Sequence, residues 1–217
     1  ARNDVGLTGD FNRFKNQLDI QAYFAQYHHQ FSEKFTITTG LRYEDIKLEN
    51  SDYAPSASFS KASPKIGVNY QFYPQHQLWV GVSEGFYAPH LSHLFDPENG
   101  NPNLKPEVSN NIEFGYRGSH GNWQWDMSIY QNKIEDYLVT QELTDAQGND
   151  YETTQNAGQV SLKGVESVIE YTPQSNDWRI GLTHTFNDNV YDDFVQSTPG
   201  SADDLSGKTL RRSPKHH

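Results

Sequence analysis

The chain has 217 residues, no cysteine, 16 glycines, 10 prolines and a formal charge of −11, with a mean hydropathy of −0.84. The length suits one domain, but the sequence is too polar for a densely packed water-soluble core. Missing thiols exclude disulfide stapling and thiolate chemistry, and the acidic balance excludes nucleic-acid binding, which needs clustered Lys and Arg.

Eight strands with period-two alternation are predicted in chain order, near 17–31, 35–48, 62–73, 77–88, 107–118, 122–141, 152–173 and 177–190. Phe35, Ile37, Thr39, Leu41 and Tyr43 share one face, with Thr36, Thr38, Gly40, Arg42 and Glu44 on the other. The same split separates Ile66, Val68, Tyr70 and Phe72 from Lys65, Gly67, Asn69 and Gln71, and Ile112, Phe114 and Tyr116 from Glu113, Gly115 and Arg117. It recurs for Trp123, Trp125, Met127 and Ile129, and for Trp178, Ile180, Leu182, His184 and Phe186. Successive side chains of a strand point to opposite faces, so each strand has one apolar and one polar surface.

The connections alternate in length. Short ones at Phe31–Phe35, Phe72–Trp79, Tyr116–Trp123 and Tyr171–Trp178 have aromatic residues on both sides. Long polar ones fall near 48–62, 88–107, 141–152 and 189–207. Short turns at one end, long loops at the other and aromatic girdles at the interfaces are the pattern of an outer-membrane barrel. The predicted fold is therefore all-β, an antiparallel up-and-down meander of about eight strands forming part of a larger transmembrane β-barrel. No run of about 18 apolar residues occurs, which excludes a transmembrane helix but says nothing of a barrel. Arg42, Lys65, Arg117 and Arg179 share the polar face, where a lumen accommodates charge that lipid would not. The opening Ala1–Asp4 is loop-like and the closing Arg211–His217 reads as the start of a ninth strand, so the chain reads as an internal piece of a longer protein.

Three motifs suggest chemistry and lose on context. Gly81-Val82-Ser83-Glu84-Gly85 matches the nucleophile-elbow pattern, but an elbow needs a strand, a sharp turn and a helix, whereas Ser83 continues a strand. Asp145–Asp150 offers oxygens around Gly148, which a tight turn requires equally and which lacks the later Glu of a calcium loop. His28 and His29 are adjacent in a strand, so their rings face opposite ways.

Gly85-Phe86-Tyr87-Ala88-Pro89, then Asn101-Pro102-Asn103-Leu104-Lys105-Pro106-Glu107, then Asn111-Ile112-Glu113-Phe114-Gly115-Tyr116 together resemble TonB-dependent outer-membrane receptors. Gly40–Glu44, Ser63–Gly67, Tyr130–Asp136, Asn156-Ala157-Gly158 and Lys163–Glu166 follow in the order that family uses. The resemblance implies a barrel of about 22 strands in the Gram-negative outer membrane, of which residues 1–217 are a partial barrel domain without the plug. It implies import of an iron complex, most simply a ferric siderophore, with the plug domain, its TonB box, the TonB system and outer-membrane lipid as partners. No catalytic residue and no resident cofactor are expected, because no bond is made or broken. The plug would meet Arg42, Lys65, Arg117 and Arg179.

Tyr53, Tyr87, His90 and His93 are the expected ligand contacts, combining ring area with polar tips at the loop bases. Two alternatives stay open. In haem-importing members a histidine between these motifs is a haem ligand, which His90 or His93 would supply, although such members usually carry Arg where Tyr87 stands. A self-contained eight-stranded barrel with a structural or adhesive role is the other; against it, inward Gly40, Gly67, Gly115 and Gly181 would leave a narrow barrel under-filled.

Overall fold

The computed structural model describes residues 16–50, 56–96, 98–145, 147–156, 158–175 and 177–216. Eight antiparallel strands form one sheet in which neighbours in space are neighbours in sequence, apart from one excursion. They are β1 (Asn16–Gln30), β2 (Phe35–Asn50), β3 (Ala57–Tyr73), β4 (His76–Tyr87), β5 (Glu107–His120), β6 (Trp123–Glu135), β9 (Gln159–Tyr171) and β10 (Ile180–Asp193). The excursion is a separate hairpin, β7 (Leu138–Thr144) with β8 (Asp150–Asn156). A second hairpin pairs β11 (Val195–Thr198) with β12 (Ser201–Asp204), and a short helix α1 (Leu91–Phe95) lies between β4 and β5. Strands of 12 to 17 residues, as in β1 to β4, exceed the roughly 9–11 that cross a bilayer, so they project beyond it.

Register fixes the faces. Leu41 pairs with Ala25 and Pro64, Phe114 with Val80 and Ile129, and Ile169 with Trp125 and Leu182. The apolar face is open: Leu41, Ile66, Val82, Ile112, Phe114, Ile129, Ile180 and Leu182 are each between 45% and 67% exposed. Water would penalise such a surface by roughly 25 cal/mol per Å², and lipid removes the penalty. Lumen-facing rows are polar: Gln71, Gln77, Arg117 and Asp126 form one row across β3 to β6.

The predicted strands at 122–141 and 152–173 are each broken in two. Asp136 takes φ 53° and Gly158 φ 90°, conformations no strand contains. At Gly158 a Cβ would lie 1.5 Å from the Asp193 carbonyl oxygen, so only glycine fits there. The long connections are correspondingly structured, with α1 in the one near 88–107 and β11/β12 in the one near 189–207. The closing residues run beside β10: Asn187 N–H donates to Lys215 O at 2.8 Å and Tyr191 N–H to Lys208 O at 3.0 Å.

The inward glycines are not uniformly empty positions. Trp79 lies directly opposite Gly115, and its ring occupies the space a Cβ would fill, 2.2 Å from the nearest ring carbon. Tyr130 lies in the same way across Gly164, and the Lys65 stem across Gly40. Gly81 alone of the inward glycines named here has open space around it.

Two small apolar clusters sit at the long-loop end. Ile46 and Leu48 of β2 are buried against Leu94 and Phe95 of α1 and against Leu104. Val160, Tyr191 and Phe194 form the second, with Tyr137, Val139 and Leu205 packed on it.

Candidate functional site

Tyr87 ends β4, pairs with Glu107 in register and is 57% exposed. Three residues later His90 opens α1: its Nδ1 lies 2.9 Å from Ser92 Oγ and 3.4 Å from Ser92 N. His93 follows one turn on, its ring centroid 6.0 Å from that of His90. The pair is thus brought together by a single turn of helix, and Tyr87 stands at its foot. Tyr53 lies outside the described residues.

His93 is half-buried, and its Nδ1 is shielded without a hydrogen-bond partner among the described residues. Desolvation, reinforced by the neighbouring His90, lowers its pKa below the ordinary imidazole value. The ring is therefore neutral at neutral pH and presents a donor or acceptor, not a cation. No group of three or more metal-ligating side chains occurs among the described residues.

What holds α1 in place escaped sequence reasoning. The loop after α1 is laced to the β7/β8 hairpin by side chains that replace a missing ladder. Asn156 accepts from Lys105 N–H at 2.8 Å, and its amide donates to Lys105 O at 2.9 Å and Asp136 O at 2.7 Å. Asn101 donates to Thr154 O at 3.0 Å, and Thr153 to Asn99 O at 2.9 Å. Glu107 accepts from Leu138 N–H at 2.7 Å. Burial raises the Glu107 pKa, partly offset by that bond. Gln141, 3% exposed, ties the same hairpin to the next: its amide donates to Val195 O at 3.4 Å and its carbonyl accepts from Ser197 N–H at 3.1 Å. Both asparagines belong to motifs that carried the family resemblance, but nothing in their spacing announces that they meet.

The rejected motifs behave as their context required. Ser83 lies inside β4 opposite Lys65 and Asn111. Asp145 closes a turn, accepting from Gln147 N–H at 2.9 Å and Asn149 N–H at 2.8 Å. His28 reaches Thr38 on one face while His29 reaches Tyr27 on the other.

Three of the four lumen-facing cations expected to meet a plug are already paired within the wall. Arg42 bonds Glu44 at 2.5 Å, Arg117 grips Asp126, and Arg179 lies 3.8 Å from Glu170. Lys65 has no ion-pair partner among the described residues. At the short-turn end the lumen face holds a concavity of about 600 Å³, lined by Gln71, Gln77, Arg117, Gln124, Asp126 and Glu170.

A family model for the TonB-dependent receptor-like β-barrel matches residues 1–217. The chain belongs to that family. Members are outer-membrane β-barrel proteins of Gram-negative cells, which places the exposed apolar face against lipid. The vitamin B12 transporter BtuB of Vibrio cholerae serotype O1 is 27% identical over 189 residues, 85% of this chain and 25% of the relative. BtuB of Vibrio vulnificus is 48% identical over 59 residues, 27% of this chain and 10% of the relative. The chain spans about a quarter of the length of the Vibrio cholerae relative. Among solved structures, the siderophore receptor PiuA of Acinetobacter baumannii superposes with a TM-score of 0.71 at 14% identity, over 94% of this chain and 30% of that one. The FrpB iron transporter of Neisseria meningitidis does so with a TM-score of 0.65 at 18% identity, over 90% and 28%. At these identities the structures show the fold alone.

Proposed function

We propose that the chain forms part of the wall and outer loops of a TonB-dependent receptor that imports a preassembled metal complex, with a ferric siderophore as its ligand. The observation that carries this reading is the cap itself. Tyr87 at the end of β4 and His90 and His93 on the turn of α1 stand at the long-loop end of a polar lumen, and the segment that follows α1 is tied to the β7/β8 hairpin by asparagine bonds. A chelate whose metal is already coordinated needs only hydrogen bonds and ring contacts from the receptor, which is what a phenol and two imidazoles supply. Under this reading no bond is made or broken, Lys65 is the wall cation that meets the plug, and the TonB system supplies the energy.

A corrinoid is the second reading, favoured by the Vibrio relatives, which are vitamin B12 transporters. Uptake of labelled ferric siderophores and of labelled cobalamin by cells carrying the full-length receptor separates the two. Saturable, TonB-dependent uptake of a siderophore is expected. Uptake of cobalamin alone selects the second reading, and uptake of neither by a correctly assembled receptor removes both. Replacing His90 and His93 by Ala is expected to leave siderophore transport measurable, since each lost hydrogen bond costs about 0.5–1.5 kcal/mol. Tight haem binding whose Soret shift disappears in the double variant would instead assign haem.

A further inference from the structure

The lumen-facing row described above is polar across β3 to β6, but on β1 the same face is apolar. Register sets its direction: Leu18 stands opposite Leu48, Ile20 opposite Ile46, Ala22 opposite Glu44 and Phe24 opposite Arg42. Alternation therefore turns these four residues of β1 toward the lumen, while Tyr23, Ala25 and Tyr27 turn toward lipid. Leu18 is 50% exposed, Ile20 54% and Phe24 79%. Such a strip is costly in a water-filled bore, at roughly 25 cal/mol per Å² of apolar surface, and lipid, which covers the other face, does not reach it.

Its surroundings define what the strip can meet. At the outer end it continues the apolar cluster that seats α1. Directly opposed side chains lie about 4.5–5.5 Å apart between Cβ atoms, so Leu18 and Ile20 border Leu48 and Ile46, which are buried against Leu94 and Phe95. The helix that carries His90 and His93 thus rests on the strand beside the strip. At the inner end Phe24 shares a concavity of about 300 Å³ with Gln26, Arg42, Ser63, Lys65 and Ser83. Lys65 is the cation assigned to the plug, so the strip covers the depth between cap and plug. Arg42 and Glu44 neutralise each other beside it, and Ser83, Asn111 and Asn132 form a polar row on the neighbouring strands. A body entering here meets carbon on one side and hydrogen-bonding groups on the other.

We propose that Leu18, Ile20 and Phe24 are an apolar contact for the imported chelate and select one bearing aryl groups, an iron tricatecholate, over an aliphatic trihydroxamate. Aryl rings present flat apolar area that these three side chains can cover, and their ring oxygens suit the hydrogen-bonding groups of Tyr87, His90 and His93. The amide-rich chain of a trihydroxamate would cover the same carbon with groups that need water. This inference rests on the siderophore reading and adds the chemical class of the ligand to it.

The test is equilibrium binding of two probes, ferric enterobactin and ferric desferrioxamine B, to the purified full-length receptor. The wild type is expected to favour the tricatecholate by about tenfold or more. The variant L18T/I20T/F24T keeps β-branched side chains suited to a strand and is shown to be folded by its heat-modifiable gel mobility. It is expected to bring the two affinities close together, chiefly by weakening the tricatecholate. An unchanged preference in the folded variant overturns the proposal, as does a wild type that binds the two chelates equally. Binding of neither chelate overturns the siderophore reading as well, so the two failures are distinguishable. The case in which the threonine variant misfolds is covered by Ile20→p-benzoylphenylalanine, irradiated with ferric enterobactin bound. An adduct with the chelate is expected, and a crosslink to the plug in its place overturns the proposal.

Discussion

The membrane wall and the cap above it satisfy their backbones by different means. In the wall neighbouring strands are bonded to one another through long antiparallel registers, so side chains need chiefly to respect parity: apolar toward lipid, polar toward the lumen. In the cap the strands part, the ladder stops, and named side chains such as Asn156, Asn101, Thr153, Glu107 and Gln141 take over the carbonyls and amides that it leaves. Outside its glycine–aromatic couples the wall is therefore constrained mainly by period, while the cap depends on particular residues.

Four experiments on the full-length receptor probe that division. The largest contrast is topological: cysteines at Asn99 or Gly148 in the cap should react with an impermeant thiol reagent on intact cells, and cysteines at Glu33 or Ser119 at the short-turn end should not. Equal labelling of both pairs would dissolve the distinction between cap and inner rim. Next, Phe114→Arg at mid-strand should impair assembly by about 2–4 kcal/mol, and Ile180→Arg, beside the girdle of Tyr171 and Trp178, by about 0–1 kcal/mol. Thr183→Arg, facing the lumen, should be mild, with heat-modifiable mobility after urea titration as the measurement. A defect at Thr183 matching that at Phe114 would mean the faces are misassigned.

A smaller and local effect is expected in the cap. Asn156→Ala removes three hydrogen bonds and leaves Lys105 and Asp136 groups unpaired, a loss of about 1–3 kcal/mol that should appear as faster hydrogen exchange in residues 99–106 and 138–156. Exchange in β2 to β5 should not change. Smallest is a pH effect at Glu107. Burial raises its folded pKa above the ordinary carboxylate value, so its stabilising contribution is present in full below the unfolded value and declines as pH rises through the folded one. Stability to urea should fall across that interval, and Glu107→Gln, which keeps an acceptor without the charge, should flatten the dependence.

The difference between the two regions also explains what the sequence disclosed. Strand faces were legible because period two is imposed residue by residue: Ile112, Phe114 and Tyr116 announce their side without reference to any partner. The breaks after Glu135 and before Gln159 were not, because each turns on a single residue of positive φ, Asp136 and Gly158, and Gly158 is fixed by the Asp193 carbonyl against it, far away in sequence. Tyr87, His90 and His93 were legible as ring-bearing residues at the foot of a long connection, but the grouping of the two histidines on one helical turn depended on α1, whose five residues carry too short a pattern to read. The Asn156 bonds to Lys105 span 51 residues and leave no local trace.

The rings of Trp79 and Tyr130 lie across Gly115 and Gly164, so aromatic mass is stored within the thickness of the wall. The two members of each couple are then not free to vary alone. A methyl group at position 115 would tip the indole into the passage, obstructing transport without unfolding anything, and shrinking Trp79 at the same time would reopen it. Transport and assembly should therefore respond separately to Gly115→Ala, and the double variant with Trp79→Leu should restore flux that the single one loses.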